Sequence, residues 1–320
     1  MRILLTGSSG WLGRFLAPRL RALGHVVTGL DVAPGVDTDV TGSVADRALI
    51  DRLFGERGIE AVIHGGALHK PDIVRYSNQV FVDVNVSGTL NLLEAAVAAN
   101  ARFVFTSTTS LMISTAIREA RGESAVWIDE AMTPLEPRNI YGVTKLSAEH
   151  LCRLFQAEHG LPVVILRTSR FFPEDDDTHR TLSGENMKAN ELLHRRLTVE
   201  DAAEAHVVAL ERAPAIGFGT YIASAPTPFA QKDLTELKAD APAVIARYFP
   251  DAAELYARQG WQLPASIDRV YDSALAEREL GFRCGTDFAA VLAALRAGVP
   301  LPFAHDADYF SPKERRSVAI

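Results

Sequence analysis

The sequence predicts an α/β protein built on a doubly wound parallel sheet, with a smaller, mainly helical C-terminal lobe. Three observations carry this. Short unbroken apolar runs alternate with longer helical patterns through the first half of the 320 residues. Strands buried on both faces read as such runs, and their alternation with helices points to parallel pairing. The first run ends at once in a glycine-punctuated turn, TGSSGWLG, and a composition of 48% hydrophobic and 23% charged residues supplies an ample core.

Taken in order, RILLTG predicts the first strand and a helix follows from about Leu12 to Leu23. HVVTGLD is the second strand, with a helix over Ala45 to Phe54; AVIHGGA is the next, with a helix over Phe81 to Ala99. RFVFTSTTS closes this first series. A helix from Tyr141 to about Glu158 leads into LPVVILRTSRFF, a buried strand that runs into the acidic loop PEDDDTH. GTYIASA reads as a further strand, and the remainder is mostly helical, ending in SALAERELGF and TDFAAVLAALRAG. Two segments break the rhythm: an insertion at 112–136, and residues 225–265, rich in proline and alanine.

Several classes of function are disfavoured. A net charge of -7 argues against nucleic acid or an anionic membrane surface as partner, since both select a basic face. No apolar run is read as approaching the roughly eighteen residues of a membrane span. The opening MRILLTGSSG starts a strand at residue 2 and leaves no room for a signal peptide. Two cysteines, Cys152 and Cys284, lack metal-type spacing and suit a reducing cytoplasm, so the expectation is a cytoplasmic protein with no metal site. The acidic run Glu174 to Asp177 reads as a solvated loop. A small-molecule ligand remains.

The glycine turn says which one. Gly7, Gly10 and Gly13 directly follow the first strand and open a helix. The first permits the tight turn, the second lets backbone approach a pyrophosphate, and the third lets helix and strand pack closely, with the phosphates at the positive helix N-terminus. The second strand ends in Asp31, whose carboxylate can accept hydrogen bonds from the adenosine ribose and repels a 2'-phosphate. No arginine lies between it and Arg47, so NAD is expected over NADP. Trp11, inside the loop, either covers the cofactor or packs locally. Further on, NIYGVTK places Tyr141 and Lys145 four residues apart, on one face of a helix.

The GxxGxxG spacing together with YxxxK resembles the extended short-chain dehydrogenase/reductase family, in its epimerase/dehydratase branch. The resemblance runs over most of the chain: AVIHGGALHKP is similar to the family's fourth strand, FVDVNVSGTLNLLEAA to its asparagine-bearing helix, FVFTSTTS to its hydroxyl-bearing strand end, and DSALAERELGF to its C-terminal signature. It implies a Rossmann domain over 1–166 with later strands returning from about 197–224, and a substrate lobe made of 167–196 and 225–320. It implies that Gly7, Gly10, Trp11, Leu12 and Gly13 bind the cofactor, that Ser43 and Val44 lie near the adenine, that Gly65, Gly66 and Ala67 line the cofactor, and that Asn85 orders the site. An aspartate is usual in the family where Ser43 stands. The homodimer it implies joins through the helices of Phe81 to Ala99 and of Tyr141.

A free tyrosine has a pKa of about 10. A lysine ammonium and the positive nicotinamide favour the phenolate, so Tyr141 and Lys145 form an acid–base unit beside a cofactor that carries the hard chemistry, and the resemblance implies that Lys145 also binds the cofactor at its nicotinamide ribose. Thr108 matches the family's hydroxyl that bonds the reacting oxygen; Ser107 and Ser110 are lesser candidates. His64 reads as a structural histidine, while His69 and Lys70 reach either substrate or pyrophosphate. Dehydratases of the branch carry an Asp–Glu pair where Thr109 and Ser110 stand, which argues against elimination. Nucleotide-sugar epimerases usually have asparagine where Arg170 stands in LRTSRFF, and a longer stretch follows; here LRTSRFFPE resembles uronate and other small-sugar dehydrogenases. Arg170 is therefore placed on the substrate, while His179, Arg180, Lys188 and Arg195 are taken as solvated surface. The expectation is an NAD-dependent oxidoreductase acting on a compact, sugar-like secondary alcohol; a nucleotide-sugar 4-epimerase is the alternative, and a non-catalytic dinucleotide sensor a remote one.

Overall fold

A computed structural model describes residues 1–174 and 182–312. Its centre is a seven-stranded sheet in the order β3-β2-β1-β4-β5-β7-β8. The strands are β1 (Arg2–Thr6), β2 (Val26–Asp31), β3 (Val40–Thr41), β4 (Ala61–His64), β5 (Arg102–Thr108), β7 (Val163–Thr168) and β8 (Phe218–Ala223), and all pair in parallel. The order reverses between β1 and β4, so a crevice opens beyond the carboxyl ends of these two strands, where ligands of such sheets bind. Every apolar run expected to be a strand is one. The two-residue β3 escaped the sequence because it has no apolar run of its own.

One face of the sheet is covered by α1 (Trp11–Ala22) and by a helix of residues Val199–Ile216. Leu12, Leu16 and Leu20 of the first meet Ala202, Ala205, Ala209 and Leu210 of the second. The other face carries α2 (Arg47–Arg57), α3 (Asn78–Ala98) and α4 (Ile140–His159) over Leu4, Val62, Phe103 and Ile165. Helix α3 corrects one expectation: with 21 residues at a mean hydropathy of 1.3 over its most apolar window, it is long and apolar enough to cross a membrane. Short polar residues scattered along it hid this in the sequence. Half of that window is buried, with Phe81, Leu92, Leu93 and Ala96 in the core beneath the sheet.

The insertion is a packed wall. It contains a short helix, Thr115–Arg118, and strand β6 (Val126–Ile128), which pairs in parallel with β9 (Arg269–Tyr271). Ala125 donates to the Leu234 carbonyl at 2.9 Å, and the Glu130 carboxylate accepts from the Ile222 amide on β8 at 2.6 Å. The proline- and alanine-rich stretch forms helices Leu234–Ala239, Ala241–Tyr248 and Ala252–Arg258. Their residues Leu237, Val244, Ile245 and Leu255 share a separate core with Phe288 and Leu292.

Phe103 lies at the centre of the sheet, fully buried, with Val62 on one side and Val163 on the other. Phe103→Ala is expected to lower the unfolding free energy by about 3–5 kcal/mol, measured by urea denaturation.

Candidate functional site

The glycine turn is shaped by what its backbone must avoid. Gly7 adopts φ +79°, and a Cβ there would stand 2.8 Å from the backbone of Gly65 and Gly66. A Cβ on Gly13 would reach the Gly7 carbonyl oxygen at 2.4 Å. The loops after β1 and β4 are thus pressed together, and the Gly66 amide donates to the Thr6 hydroxyl at 3.0 Å. Helix α1 then begins on Gly10 with no side-chain cap and no acidic residue in its first turn. Its first amides, those of Trp11 and Leu12 included, have no intrahelical acceptor, and an anion fits there. Asp31, at the end of β2, accepts from the Ser9 amide at 3.1 Å and the Ala33 amide at 2.9 Å. A cavity of about 390 Å³ opens nearby, lined by Ala33, Pro34, Arg14, Asp306 and Tyr309.

Trp11 packs locally, with its ring 5.0 Å from those of Phe15 and Tyr309 and the Arg14 guanidinium over it. Tyr309 belongs to a C-terminal segment that also touches the substrate side. The Asp306 amide donates to the Pro173 carbonyl at 3.0 Å, and His305 Nδ1 lies 2.5 Å from Lys188 Nζ. Val44 is buried and lies against Gly88, where an added Cβ would meet its Cγ2 at 2.6 Å. The Ser43 hydroxyl accepts from the Ala45 amide at 3.2 Å, holding its own turn. Gly65, Gly66 and Ala67 line the edge of the crevice, each half-buried.

Asn85 sits in a π-helical turn, Asp83–Ser87, that interrupts α3. Its carboxamide accepts from the Leu68 amide at 2.8 Å, and donates to the Leu68 carbonyl at 3.1 Å and to the Thr144 hydroxyl at 3.0 Å. The loop after β4 and the helix of Tyr141 are therefore fixed to one side chain. His64 is structural, as expected: it is buried between the Thr6 and Thr89 hydroxyls at 2.7 and 3.1 Å, and burial pushes its pKa well below the ordinary value.

Helix α4 starts on Asn139, whose side chain accepts from the Gly142 amide at 3.0 Å. Tyr141 and Lys145 are both buried. Thr108 ends β5 beside Tyr141, and the Lys145 ammonium rests 4.1 Å from the centre of the Phe105 ring. Burial pushes Tyr141 up to about 12, opposed by Thr108 and reinforced by the Asp72 charge. Burial also brings Lys145 down to about 7, with the Glu149 carboxylate acting in the other direction. In the chain by itself burial governs both groups; the expected lowering of Tyr141 belongs to the site with the positive nicotinamide beside it.

The Ser107 hydroxyl donates to Glu149 Oε1 at 2.6 Å. Ser110 is half-buried in the turn after β5, and its amide donates to the Thr108 hydroxyl at 3.1 Å. The His69 ring lies 5.7 Å from that of Tyr141 and 6.0 Å from that of Phe172, bridging the acid–base pair to the strand of Arg170. Lys70 is exposed at the start of a turn, Lys70–Val74. Arg170 pairs through its backbone with Arg196, and its guanidinium is 3.7 Å from Glu174.

Here the structure overturns two surface assignments. Lys188 is fully buried and holds the Pro173 carbonyl, and only 15% of the Arg195 side chain is exposed, 3.1 Å from the buried Glu191. Glu174, expected in a solvated loop, is drawn against Arg170. Asp175, Asp176, Asp177, His179 and Arg180 lie outside the described residues. The sequence also passed over Arg196, which binds Glu191 at 2.8 Å, and the buried Glu149–Arg167 pair at 2.7 Å. Glu149 was findable, since it continues the helical face of Tyr141 and Lys145 by one more turn.

Residues 3–218 match the model of the NAD dependent epimerase/dehydratase family. The chain belongs to this family. Its cofactor is NAD, and the uncapped start of α1, the Gly7 cradle and Asp31 fit that group. Among its relatives, the uronate dehydrogenase of Pseudomonas putida is 25% identical over 179 residues, covering 54% of this chain and 62% of that protein, under two thirds of its length. The dTDP-glucose 4,6-dehydratase of Streptomyces antibioticus is 29% identical over 335 residues, covering 92% and 90%. A short-chain dehydrogenase/reductase superfamily protein from Agrobacterium tumefaciens, solved with bound NAD, superposes with a TM-score of 0.63 at 25% identity, covering 93% of this chain and 98% of that one.

Asn85→Ala removes all three side-chain hydrogen bonds and leaves buried partners unmatched. It is expected to cost about 3 kcal/mol of stability and to weaken NAD binding, read by thermal melts with and without NAD.

Proposed function

We propose that the protein is an NAD-dependent oxidoreductase acting on the secondary alcohol of a compact, anionic sugar such as a sugar acid. One observation carries the reading. Arg170, Lys188, Arg195 and Arg196 gather around Glu174 and Glu191, and the segment that carries Arg170 adjoins the Tyr141 pair through His69 and Phe172. Arginine forks suit a carboxylate bidentately. The relation to the Pseudomonas putida uronate dehydrogenase supports the same class.

Gly7, Gly10, Trp11, Leu12 and Gly13 hold the cofactor's phosphates, and Asp31 the adenosine ribose. Bound NAD supplies a hydride acceptor. Tyr141 takes the substrate hydroxyl proton on its phenolic oxygen, Thr108 holds the same substrate oxygen, and a charged Lys145 favours the phenolate. The buried setting keeps water from the proton in transit. Arg170 orients the substrate through its anionic group, using binding energy remote from the reacting carbon.

The second reading, a nucleotide-sugar 4-epimerase, draws its substrate class from the near full-length relation to the dTDP-glucose 4,6-dehydratase. Against elimination stand Thr109 and Ser110, which offer no carboxylate. A panel of free sugars, sugar acids and nucleotide sugars separates the readings. NADH formation with a sugar acid is the expected result, and epimerised nucleotide sugar without net NADH overturns it. On the active substrate, Tyr141→Phe is expected to lose about 10²- to 10⁴-fold in turnover while keeping NAD affinity.

The assembly proposed is a homodimer through α3 and α4, which present Val82, Val143 and Leu154 to solvent. Sedimentation at micromolar concentration is expected to give twice the chain mass.

A further inference from the structure

Below Lys145 on α4 lies a carboxylate that the reaction does not use directly. Tyr141, Lys145 and Glu149 are spaced one helical turn apart on the buried face of α4. The Glu149 carboxylate is held from both neighbouring strands: by the Ser107 hydroxyl of β5 at 2.6 Å, and by Arg167 of β7 through Nε at 3.1 Å and a second guanidinium nitrogen at 2.7 Å. Thr168 donates to the Ser107 carbonyl at 3.0 Å, so the two strands are tied where they carry this network. We propose that Glu149 is a positioning residue for the acid–base pair: fixed by Arg167 and Ser107, its charge offsets the burial of the Lys145 ammonium and keeps that lysine competent to bind the cofactor and assist Tyr141.

The surroundings leave this task to Glu149. From α4 itself, Tyr141 and Cys152 face Lys145 as neutral groups, since burial raises both. From β4, His64 is held neutral by burial and by the lysine's own charge. From β5 come the Phe105 ring and Ser107, and from β7 the Arg167 guanidinium, which is committed to Glu149. Asp72 exerts its charge at Tyr141 and raises it. Glu149 is the largest influence that raises Lys145 against its desolvation. A bidentate arginine keeps the carboxylate ionised and aimed without a shared proton. Glu149 is the member of that pair on the helix of Lys145, one turn further along the same buried face.

The inference rests on the reading that Lys145 meets the bound cofactor, and the test separates the two. NAD dissociation constants are measured by tryptophan fluorescence over a pH range spanning the Lys145 midpoint near 7. In the wild type, affinity is full below that midpoint and falls by up to about tenfold per pH unit above it, because the protonated lysine is the binding form. Lys145→Met is expected to bind more weakly with this limb flattened. An unchanged limb in that variant overturns the cofactor contact itself. Glu149→Gln is expected to move the limb to lower pH, giving about tenfold weaker binding at neutrality for a one-unit displacement, with wild-type dependence restored in shape but not in position. A uniform loss at every pH, with the midpoint in place, makes Glu149 merely structural and overturns the proposal. Should Glu149→Gln not fold, Glu149→Asp keeps the charge: a midpoint near that of the wild type is expected despite lower thermal stability, and a displaced one overturns the proposal.

Discussion

The site depends on one carboxamide. Through Asn85 the loop after β4, the π-turn of α3 and the helix of Tyr141 share a side chain, and its three bonds lie in a buried interior. The π-turn exists to deliver it: one extra residue in a helical turn rotates Asn85 out of the regular hydrogen-bond ladder and toward the crevice. Tyr141 then has its depth and azimuth fixed from outside its own helix. Thr108, arriving on β5 from the opposite side, meets it without adjustment.

Depth creates the electrostatic problem that the rest of the site addresses. A tyrosine pushed up to about 12 is a poor base, and a lysine brought down to about 7 is a poor cation. Both shifts have the same origin, since burial penalises whichever form is charged. A pair in which each member needs the other ionised cannot be rescued from within; the remedy has to come from charges beyond it. On the proposed reading, Asp31 and the bare amides of α1 act at the cofactor end of the crevice and the arginine cluster at the substrate end.

Much of this was legible in the sequence, and the reasons differ by element. Buried parallel strands are unbroken apolar runs, so β1, β2, β4, β5, β7 and β8 could be read directly. The glycine triplet, Asp31, Tyr141 and Lys145 were legible because their chemistry depends on local spacing. Lys188, Arg195 and Arg196 were not, because a charged residue on or just after a short helix looks solvated until burial and its partners, the Pro173 carbonyl and Glu191, are seen beside it. The burial of Tyr141 and Lys145 was not legible for a related reason: spacing shows which charges are neighbours but not how much water they have lost. Strands β6 and β9 escaped because each is three residues long and neither has a neighbour in sequence.

That small second sheet has a consequence for how the protein is made. Its two strands pair across a separation from Ile128 to Tyr271, and the insertion that carries β6 also packs around the start of α4, where Arg138 donates to the Ile113 carbonyl at 3.0 Å. Closing so long a loop is entropically costly and kinetically late. During synthesis the sheet of β1, β4 and β5 can assemble behind the ribosome, with the cofactor loops formed, while the wall beside Tyr141 still waits for β9 to emerge. The order of synthesis thus separates in time the centre of the sheet from the wall that β6 and β9 complete.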